Sequence, residues 1–302
     1  MAASKNRPNR LAERRERHPP ELQDWLNSRV YHPLGRRLAI FLVPTAVTPN
    51  MVSFGGLLLI VAAAGFYTGL SWPVSVLLGF PAHALWHVLD GADGDLARRT
   101  GRSSPVGELV DGVCDYLGHI ILYVALAAML YGWIGGWAWA LATLSGVSRI
   151  VQSNHAESQR RTYLWRVYDI PWLKNAYAAR DSTLRAGPFT LLFEPFARLY
   201  VAFASLSSPT SAAIDAHVTD AEGKPWERER VSRVCRLAYS HALRFQTVLG
   251  PNIRTVALGL SMAAGSPFWF FLFECVPLNL LMLWSRQVQR RCDLTVAQRL
   301  AA

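Results

Sequence analysis

Apolar positions fill long stretches of this chain, and polar positions collect between them. An α-helix needs ~20 residues to cross a bilayer, and six stretches approach or reach that length. They lie at residues 51–70, 72–90 (continuing as helix to 98), 106–131, 133–151, 253–265 and 267–285. The pattern therefore predicts an all-α, polytopic membrane protein with six transmembrane helices.

A seventh helical pattern precedes the first span. Within residues 21–46, apolar side chains recur at helical spacing, with arginines nearby, which predicts an N-terminal interfacial amphipathic helix. The apolar positions are Leu22, Trp25, Leu26 and Val30. The first 20 residues are rich in Pro and Arg and predict a disordered tail. They lack the apolar core of a cleavable signal peptide.

The region from about 153 to 250 is longer and more polar than any other interval between spans. Its apolar segment 189–206 is interrupted by Glu194, Pro195 and Arg198, which favours a re-entrant or interfacial hairpin over a seventh span. The predicted domains are therefore a tail with a juxtamembrane helix (1–46) and a membrane domain (47–302). The second would carry a cytoplasmic or interfacial insertion at about 153–250.

Charge predicts the orientation. The chain has 302 residues, is 51% hydrophobic and carries a net charge of +10. The loops near Ser71, Gly132 and Ser266 contain no Lys or Arg, whereas the segments on the other side are basic. The positive-inside rule then places both termini in the cytoplasm. Because the basic residues follow the membrane boundary, we expect membrane lipids as their partners and no nucleic acid.

Four acids in otherwise apolar sequence are the chemically informative feature. Asp90 and Asp93 are three residues apart, and Asp111 and Asp115 are four apart, so each pair shares one helix face. Two like charges about 6 Å apart repel by roughly 3 kcal/mol at an effective dielectric constant near 20. A divalent cation would remove that repulsion, and oxygen ligands suit Mg²⁺, Mn²⁺ or Ca²⁺. The alternative is a polar corner with solvated acids.

The acids belong to a longer pattern, Asp-x-x-Asp-Gly-x-x-Ala-Arg followed by Gly-x-x-x-Asp-x-x-x-Asp. The eight positions are filled by Asp90, Asp93, Gly94, Ala97, Arg98, Gly107, Asp111 and Asp115. In this pattern the chain resembles the CDP-alcohol phosphotransferase family of integral membrane enzymes, whose motif has this spacing. The small residues would let a nucleotide approach the helix backbone, and the arginine is placed to hydrogen-bond a phosphate.

The resemblance assigns roles to these residues. It implies one or two divalent ions, Mg²⁺ or Mn²⁺, held by the four acids of the motif. It places Gly94, Ala97, Arg98 and Gly107 around the CDP group and makes Asp115 the candidate general base. Members of the family often carry Pro-Asn at the start of the first span, so Asn50 is a further candidate for nucleotide binding.

The stretch 97–115 is most similar to the choline/ethanolamine phosphotransferase branch, in which a soluble CDP-alcohol donates to a lipid hydroxyl. That branch has a histidine directly after its third acid, where this chain has Gly112. If that histidine is the base there, the role passes here to Asp115, Glu108 or His119. His119 lies four residues after Asp115 and shares its face, so it is a second catalytic candidate.

The predicted function is transfer of a phospho-alcohol or phosphatidyl group from a CDP-linked donor to a lipid or polar acceptor hydroxyl, with release of CMP, on the cytoplasmic side of the membrane. The alternative is a CDP-diacylglycerol donor with a polar acceptor such as glycerol phosphate, inositol, inositol phosphate or serine. A phosphorylated acceptor would need a basic pocket, for which Arg149, Arg160 and Arg161 are candidates. An inactive lipid-binding or scaffolding member is disfavoured because all four acids and Arg98 are present. A transporter is disfavoured because its acids would usually lie near mid-membrane, whereas these lie at a cytoplasmic helix end. Family members often form homodimers, and the small-residue-rich span 133–151 is compatible with helix–helix contact.

Overall fold

The structure, a computed structural model, describes residues 19–170, 209–240 and 242–301. These residues form helices and connecting turns, with no strand among them, which confirms the all-α prediction. Nearly all of the predicted tail and the whole predicted hairpin at 189–206 lie outside the described residues.

The described part of the chain begins with a short 3₁₀ helix, Pro20–Leu22, and a π-helix, Asn27–Tyr31. The α-helices that follow are α1 His32–Leu42, α2 Pro49–Gly69, α3 Val74–Thr100, α4 Pro105–Ile134, α5 Trp137–Tyr168, α6 Pro209–Asp220, α7 Pro225–Tyr239, α8 Leu243–Val248, α9 Pro251–Ala263, α10 Phe268–Cys275 and α11 Pro277–Ala301.

A tight turn joins α3 to α4, and its residue types explain why it is tight. Gly101 ends α3 in the left-handed region, at φ 68°, and its N–H donates to the carbonyl of Ala97. Ser104 then starts α4 by accepting a hydrogen bond from the Gly107 N–H at 3.0 Å. The acids of α3 therefore lie near its C-terminal end and the acids of α4 near its N-terminal end, on either side of this turn.

Three helical stretches among the described residues have the length and apolar composition to cross a membrane, namely Pro49–Gly69, Val110–Ile134 and Phe268–Ala301. They support an integral membrane protein. The predicted spans at 72–90, 133–151 and 253–265 fall in α3, α5 and α9 but are not among the three stretches. The predicted number of six therefore stays a prediction.

The chain divides into two compact units. The site unit, residues 24–150 and 250–279, contains the acids. In it α2 packs against both α3 and α4, while α1 and α9 pack against α3. Its largest core cluster includes Ile60, Tyr67, Trp86, Leu126 and Phe271.

The second unit, residues 1–23, 151–249 and 280–302, has a core of its own. That core includes Tyr163, Ile214, Val231, Cys235 and Val296. Both units are defined by packing, and the predicted domain boundary at residue 46 stays a prediction.

Candidate metal and nucleotide site

The α3–α4 pair brings three of the four predicted acids into one group. Asp90, Asp111 and Asp115 each offer a carboxylate oxygen, and these oxygens all lie within 4.8 Å of one another. At that separation each pair of charges repels by roughly 3 kcal/mol at an effective dielectric constant near 20. Three converging oxygen donors with no cation among them fit a hard divalent ion such as Mg²⁺ or Mn²⁺.

The fourth acid, Asp93, lies beside this group and is more deeply buried. Only 4% of it is exposed, and its carboxyl group contacts that of Asp111. The Ser53 hydroxyl on α2 donates a hydrogen bond of 2.6 Å to Asp93 Oδ2. Ser53 was not among the predicted site residues, although it lies three residues after Asn50 and is polar in an apolar run.

Asp115 accepts a hydrogen bond from a second residue that was not among the predicted site residues, Trp86. The indole Nε1–H of Trp86, on α3, donates a hydrogen bond of 2.9 Å to Asp115 Oδ1. Trp86 lies four residues before Asp90 and so shares its face. A buried Trp normally finds a partner for its N–H. Its place on the face of Asp90 could therefore have indicated Trp86 as a hydrogen-bond donor to the acids.

His119, the second catalytic candidate, contacts the backbone of Asp115. Its Nδ1 lies 2.7 Å from the Asp115 carbonyl oxygen, which can only accept, so this nitrogen donates. The ring is buried and packs edge-on against Trp86 with 4.7 Å between ring centroids. The described contacts of His119 therefore fix the ring in place, and its catalytic role stays a prediction.

The predicted nucleotide-binding residues form two pairs, one on α3 and one between α2 and α4. A Cβ atom at Gly94 would lie 3.1 Å from Arg98 Nη1, so the guanidinium lies over this glycine. The Arg98 side chain is 47% exposed and can reach a ligand. A Cβ atom at Gly107 would lie 3.6 Å from Asn50 Oδ1, so the starts of α2 and α4 meet there.

Two other candidates contribute less. Ala97 is half-buried, and its backbone carbonyl accepts the N–H of Arg102 at 2.9 Å. This contact ends α3 and leaves the small side chain as the only feature relevant to a nucleotide. The Glu108 side chain lies outside the described part of the structure.

The polar face of α4 continues beyond the acids. Asp111, Asp115, His119 and Tyr123 follow one another at four-residue intervals, so they share one face. Tyr123 donates a hydrogen bond to Glu274 of α10, which also accepts from the Ser145 hydroxyl at 2.5 Å.

Two arginines belong to the same buried group. The Arg254 guanidinium lies 3.5 Å from Glu274. Arg149 donates to the Tyr123 hydroxyl at 3.3 Å. Arg254 thus lies beside a carboxylate of opposite charge, whereas Arg149 donates to a hydroxyl that itself donates to the same carboxylate.

The other two basic candidates lie in the second unit and are paired within their own helix. Arg160 and Arg161 bind Glu157 at 2.7 and 2.5 Å. Burial acts to raise the pKa of Glu157, but the two guanidinium groups outweigh it and lower that pKa. Their charge is therefore compensated locally and does not form an isolated basic pocket.

With this geometry in place, comparison with known proteins identifies the class. Residues 46–167 match the family model described as CDP-alcohol phosphatidyltransferase. The match covers every predicted site residue from Asn50 to His119, and it confirms the resemblance of this part of the chain to that family.

Individual relatives agree with the family. The chain is 32% identical over 114 residues to Ethanolaminephosphotransferase 1 of Pongo abelii and 33% identical over 87 residues to Cholinephosphotransferase 1 of Gallus gallus. It is 28% identical over 167 residues to the Bifunctional IPC transferase and DIPP synthase of Thermococcus kodakarensis. The alignments cover 32%, 26% and 55% of this chain, and only 28%, 26% and 37% of those relatives.

Proposed function

We propose that this protein is an integral membrane CDP-alcohol phosphotransferase that releases CMP from a CDP-linked donor. The observation that carries the proposal is the convergence of Asp90, Asp111 and Asp115 from two helices, with oxygen atoms within 4.8 Å. The acids lie inside the segment that matches the family. A solvated polar corner would not require three like charges to meet.

In this proposal one or two divalent ions, Mg²⁺ or Mn²⁺, are held by Asp90, Asp93, Asp111 and Asp115. The donor set fits, because it is composed of carboxylate oxygens that repel one another without a cation. When bound, such ions neutralise the pyrophosphate of the donor and stabilise the entering and leaving oxygens.

The chain's own residues bind the donor and move one proton. Arg98 hydrogen-bonds a phosphate, and Gly94 and Ala97 let the nucleotide approach α3. Asn50 and Gly107 line the other side of the pocket. Asp115 takes the proton of the acceptor hydroxyl while the oxygen of that hydroxyl bonds to the phosphorus that carries the alcohol. The bond between that phosphorus and the oxygen of CMP breaks, and CMP leaves.

For the substrates we favour a soluble CDP-alcohol and a lipid hydroxyl. The motif resembles the choline/ethanolamine branch, and two of the relatives above are a choline and an ethanolamine phosphotransferase by name. The pairing of Arg160 and Arg161 with Glu157 also argues against a dedicated site for a phosphorylated acceptor. The alternative, CDP-diacylglycerol with a polar acceptor, is supported by the longer alignment with the Thermococcus protein.

The proposal extends to the membrane. Six helices cross it, with the acids and both termini on the cytoplasmic side, where the basic segments of the sequence lie. A homodimer through the small-residue-rich helix α5 is part of the same proposal.

The test is release of CMP by the purified protein, offered CDP-choline, CDP-ethanolamine or CDP-diacylglycerol together with diacylglycerol, ceramide, glycerol phosphate, inositol or inositol phosphate. Turnover should require Mg²⁺ or Mn²⁺, and EDTA should abolish it. Asp90→Asn, Asp93→Asn and Asp111→Asn should each abolish it as well. Glu229→Gln is the control, because Glu229 lies outside the site unit in an exposed pair with Arg233 at 2.7 Å.

Undiminished turnover in EDTA would contradict the metal assignment. Absence of CMP release from every donor by a folded protein would favour the inactive lipid-binding or transporter alternatives.

A further inference from the structure

Trp86 occupies an unusual position for a core residue. It is 4% exposed and belongs to the main core cluster of the site unit, yet its one polar atom is directed at an acid of the candidate site. The hydrogen bond from its Nε1 to Asp115 Oδ1 joins α3 to α4 over 29 residues of sequence.

The indole is enclosed on several sides. His87 packs against it with 4.4 Å between ring centroids, and His119 with 4.7 Å. On the α2 side, a Cβ atom at Gly56 would lie 3.2 Å from Trp86 Cδ1 and 3.7 Å from Nε1. Glycine at position 56 therefore leaves the space that the indole fills, and the surrounding rings restrict it to one orientation.

His119 contacts both Asp115 and Trp86. Its Nδ1–H donates to the backbone carbonyl of Asp115 while its ring supports the indole. One oxygen of the Asp115 side chain is thus held by a group that can donate a hydrogen bond but cannot accept a proton. A carboxylate oxygen of Asp115 also lies within 4.8 Å of carboxylate oxygens of Asp90 and Asp111.

We infer that Trp86 is a positioning residue for Asp115. It holds Oδ1 so that Oδ2 is presented to the acceptor hydroxyl and to the bound cation. The inference rests on the proposed function, in which Asp115 is the base and a metal ligand. Gly56 serves it by admitting the indole between α2 and α4.

Trp86→Phe tests the inference, because it keeps an aromatic ring and removes the N–H. We expect kcat to fall about 10–100-fold, the scale of a misplaced reacting group. The KM for the CDP-alcohol should change by less than about threefold, since the donor contacts are untouched. The control is Trp165→Phe, a buried tryptophan of the second unit that is 7% exposed.

Gly56→Ala tests it without altering the indole. The new methyl group would lie 3.2 Å from Trp86 Cδ1, so the indole must shift by a few tenths of an ångström, and kcat should fall in this variant as well. Its matched control on the same helix is Gly65→Ala, where a Cβ atom would meet nothing within 4 Å. The pair keeps the inference testable if Trp86→Phe proves unstable.

A second readout does not depend on turnover. Mn²⁺ should raise the temperature of thermal unfolding in detergent, and the Mn²⁺ concentration for half of this effect should increase in Trp86→Phe and Gly56→Ala but not in the two controls. A purely structural role would lower the unfolding temperature and leave that concentration and kcat unchanged, which would overturn the inference. If the wild-type protein released no CMP, the proposed function would fail, and the Mn²⁺ measurement would still decide whether Trp86 positions Asp115.

Discussion

At the scale of single residues, the four acids of the site differ in how they are held. Asp93 accepts a hydrogen bond from a serine hydroxyl, whereas Asp115 accepts one from an indole at Oδ1. The indole N–H can donate a hydrogen bond but cannot accept a proton, so a proton taken from an acceptor hydroxyl would stay on the Asp115 carboxyl group. This difference supports Asp115, among the four, as the general base of the proposed reaction.

Asp115→Asn should therefore reduce turnover by about 10²–10⁴-fold, the usual range for loss of a general base. Binding of the CDP-alcohol should be largely retained, because Gly94 and Arg98 are unchanged. His119→Ala should reduce turnover less, since the described hydrogen bond of His119 is to a backbone carbonyl. Steady-state CMP release and equilibrium binding of the donor measure the two effects, and a larger loss in the histidine variant would reverse these roles.

The sequence could predict the acids but not their partners. The spacing of Asp90, Asp93, Asp111 and Asp115 is a property of single helices, so it is readable along the chain. Ser53 and Trp86 contact the acids only because α2, α3 and α4 pack in one particular rotation. Nothing in the local pattern specifies that rotation.

At the scale of elements, α1 meets α3 at a close backbone contact. A Cβ atom at Gly35 would lie 2.9 Å from the carbonyl oxygen of Val88 and 3.3 Å from the amide nitrogen of Ala92. Because backbone cannot turn away as a side chain can, any larger residue must separate the two helices. Gly35 thus keeps α1 close to the helix that carries Asp90 and Asp93.

Gly35→Ala should lower the free energy of unfolding by about 1–3 kcal/mol, the usual cost of overpacking a well-packed contact. Unfolding in detergent, followed by circular dichroism, measures it. Alanine is otherwise favoured over glycine in a helix, so Gly65→Ala, in open space on α2, should be neutral or stabilising. Equal stability of the two variants would mean that α1 and α3 are not in contact in the membrane.

The second unit is organised around one buried cation. Arg166 is 0% exposed and pairs with Asp215 at 2.7 Å and with Asp293 at 3.4 Å, while also donating to the Tyr239 hydroxyl at 2.6 Å. Burial acts against its charge, but these neighbours outweigh it and raise the pKa of Arg166. One side chain therefore joins α5 to α6, α7 and α11.

Arg166→Met should destabilise the protein by about 3–5 kcal/mol, because it leaves buried carboxylates without their cation. Arg233→Met is the control: its pair with Glu229 is exposed on both sides, and such helix pairs contribute about 0.3–0.5 kcal/mol. Thermal unfolding of both variants gives the comparison. A similar small loss in each would show that the cluster around Arg166 does not form.

The N-terminal segment differs from the helix that its sequence predicts. The apolar spacing predicts one helix over 21–46, but the structure has a 3₁₀ helix, a π-helix and α1. Asp24 accepts the Asn27 N–H at 2.8 Å, and its other oxygen accepts from Asn252 at 2.7 Å. The second contact spans 228 residues of sequence, so local periodicity could not reveal it. The interfacial location of this segment stays a prediction.

At the scale of the whole molecule, the class of fold was the easiest property to predict, since long apolar runs leave few alternatives to membrane helices. The number of spans was harder. α3, α5 and α9 carry polar and charged residues, among them Asp90, Arg149 and Arg254. Within the site unit, Arg254 is buried 3.5 Å from Glu274, and Arg149 donates to the Tyr123 hydroxyl. Hydropathy treats such residues as obstacles to insertion, whereas packing compensates them. Charged residues of the site unit therefore lower the mean hydropathy by which a membrane span is recognised.

The proposed topology gives a last prediction. Ser71, in the turn between α2 and α3, and Ser103, in the turn between α3 and α4, are both exposed and lie at opposite ends of α3. If α3 crosses the membrane, Ser71→Cys and Ser103→Cys must lie on opposite sides. The turn at Ser71 has no Lys or Arg, whereas Ser103 follows Arg98, Arg99 and Arg102, so the positive-inside rule puts Ser103 in the cytoplasm.

Each substitution would be made in a background without the four native cysteines. Of these, Cys235 should react least, because burial raises the pKa of its thiol to about 11. On intact cells, a membrane-impermeant thiol reagent should label Ser71→Cys and spare Ser103→Cys. After permeabilisation it should label both, which controls for accessibility. The reverse pattern would place the acid cluster outside the cell, away from any cytidine nucleotide, and would contradict the proposed enzyme. Equal labelling of both on intact cells would show that α3 does not cross the membrane.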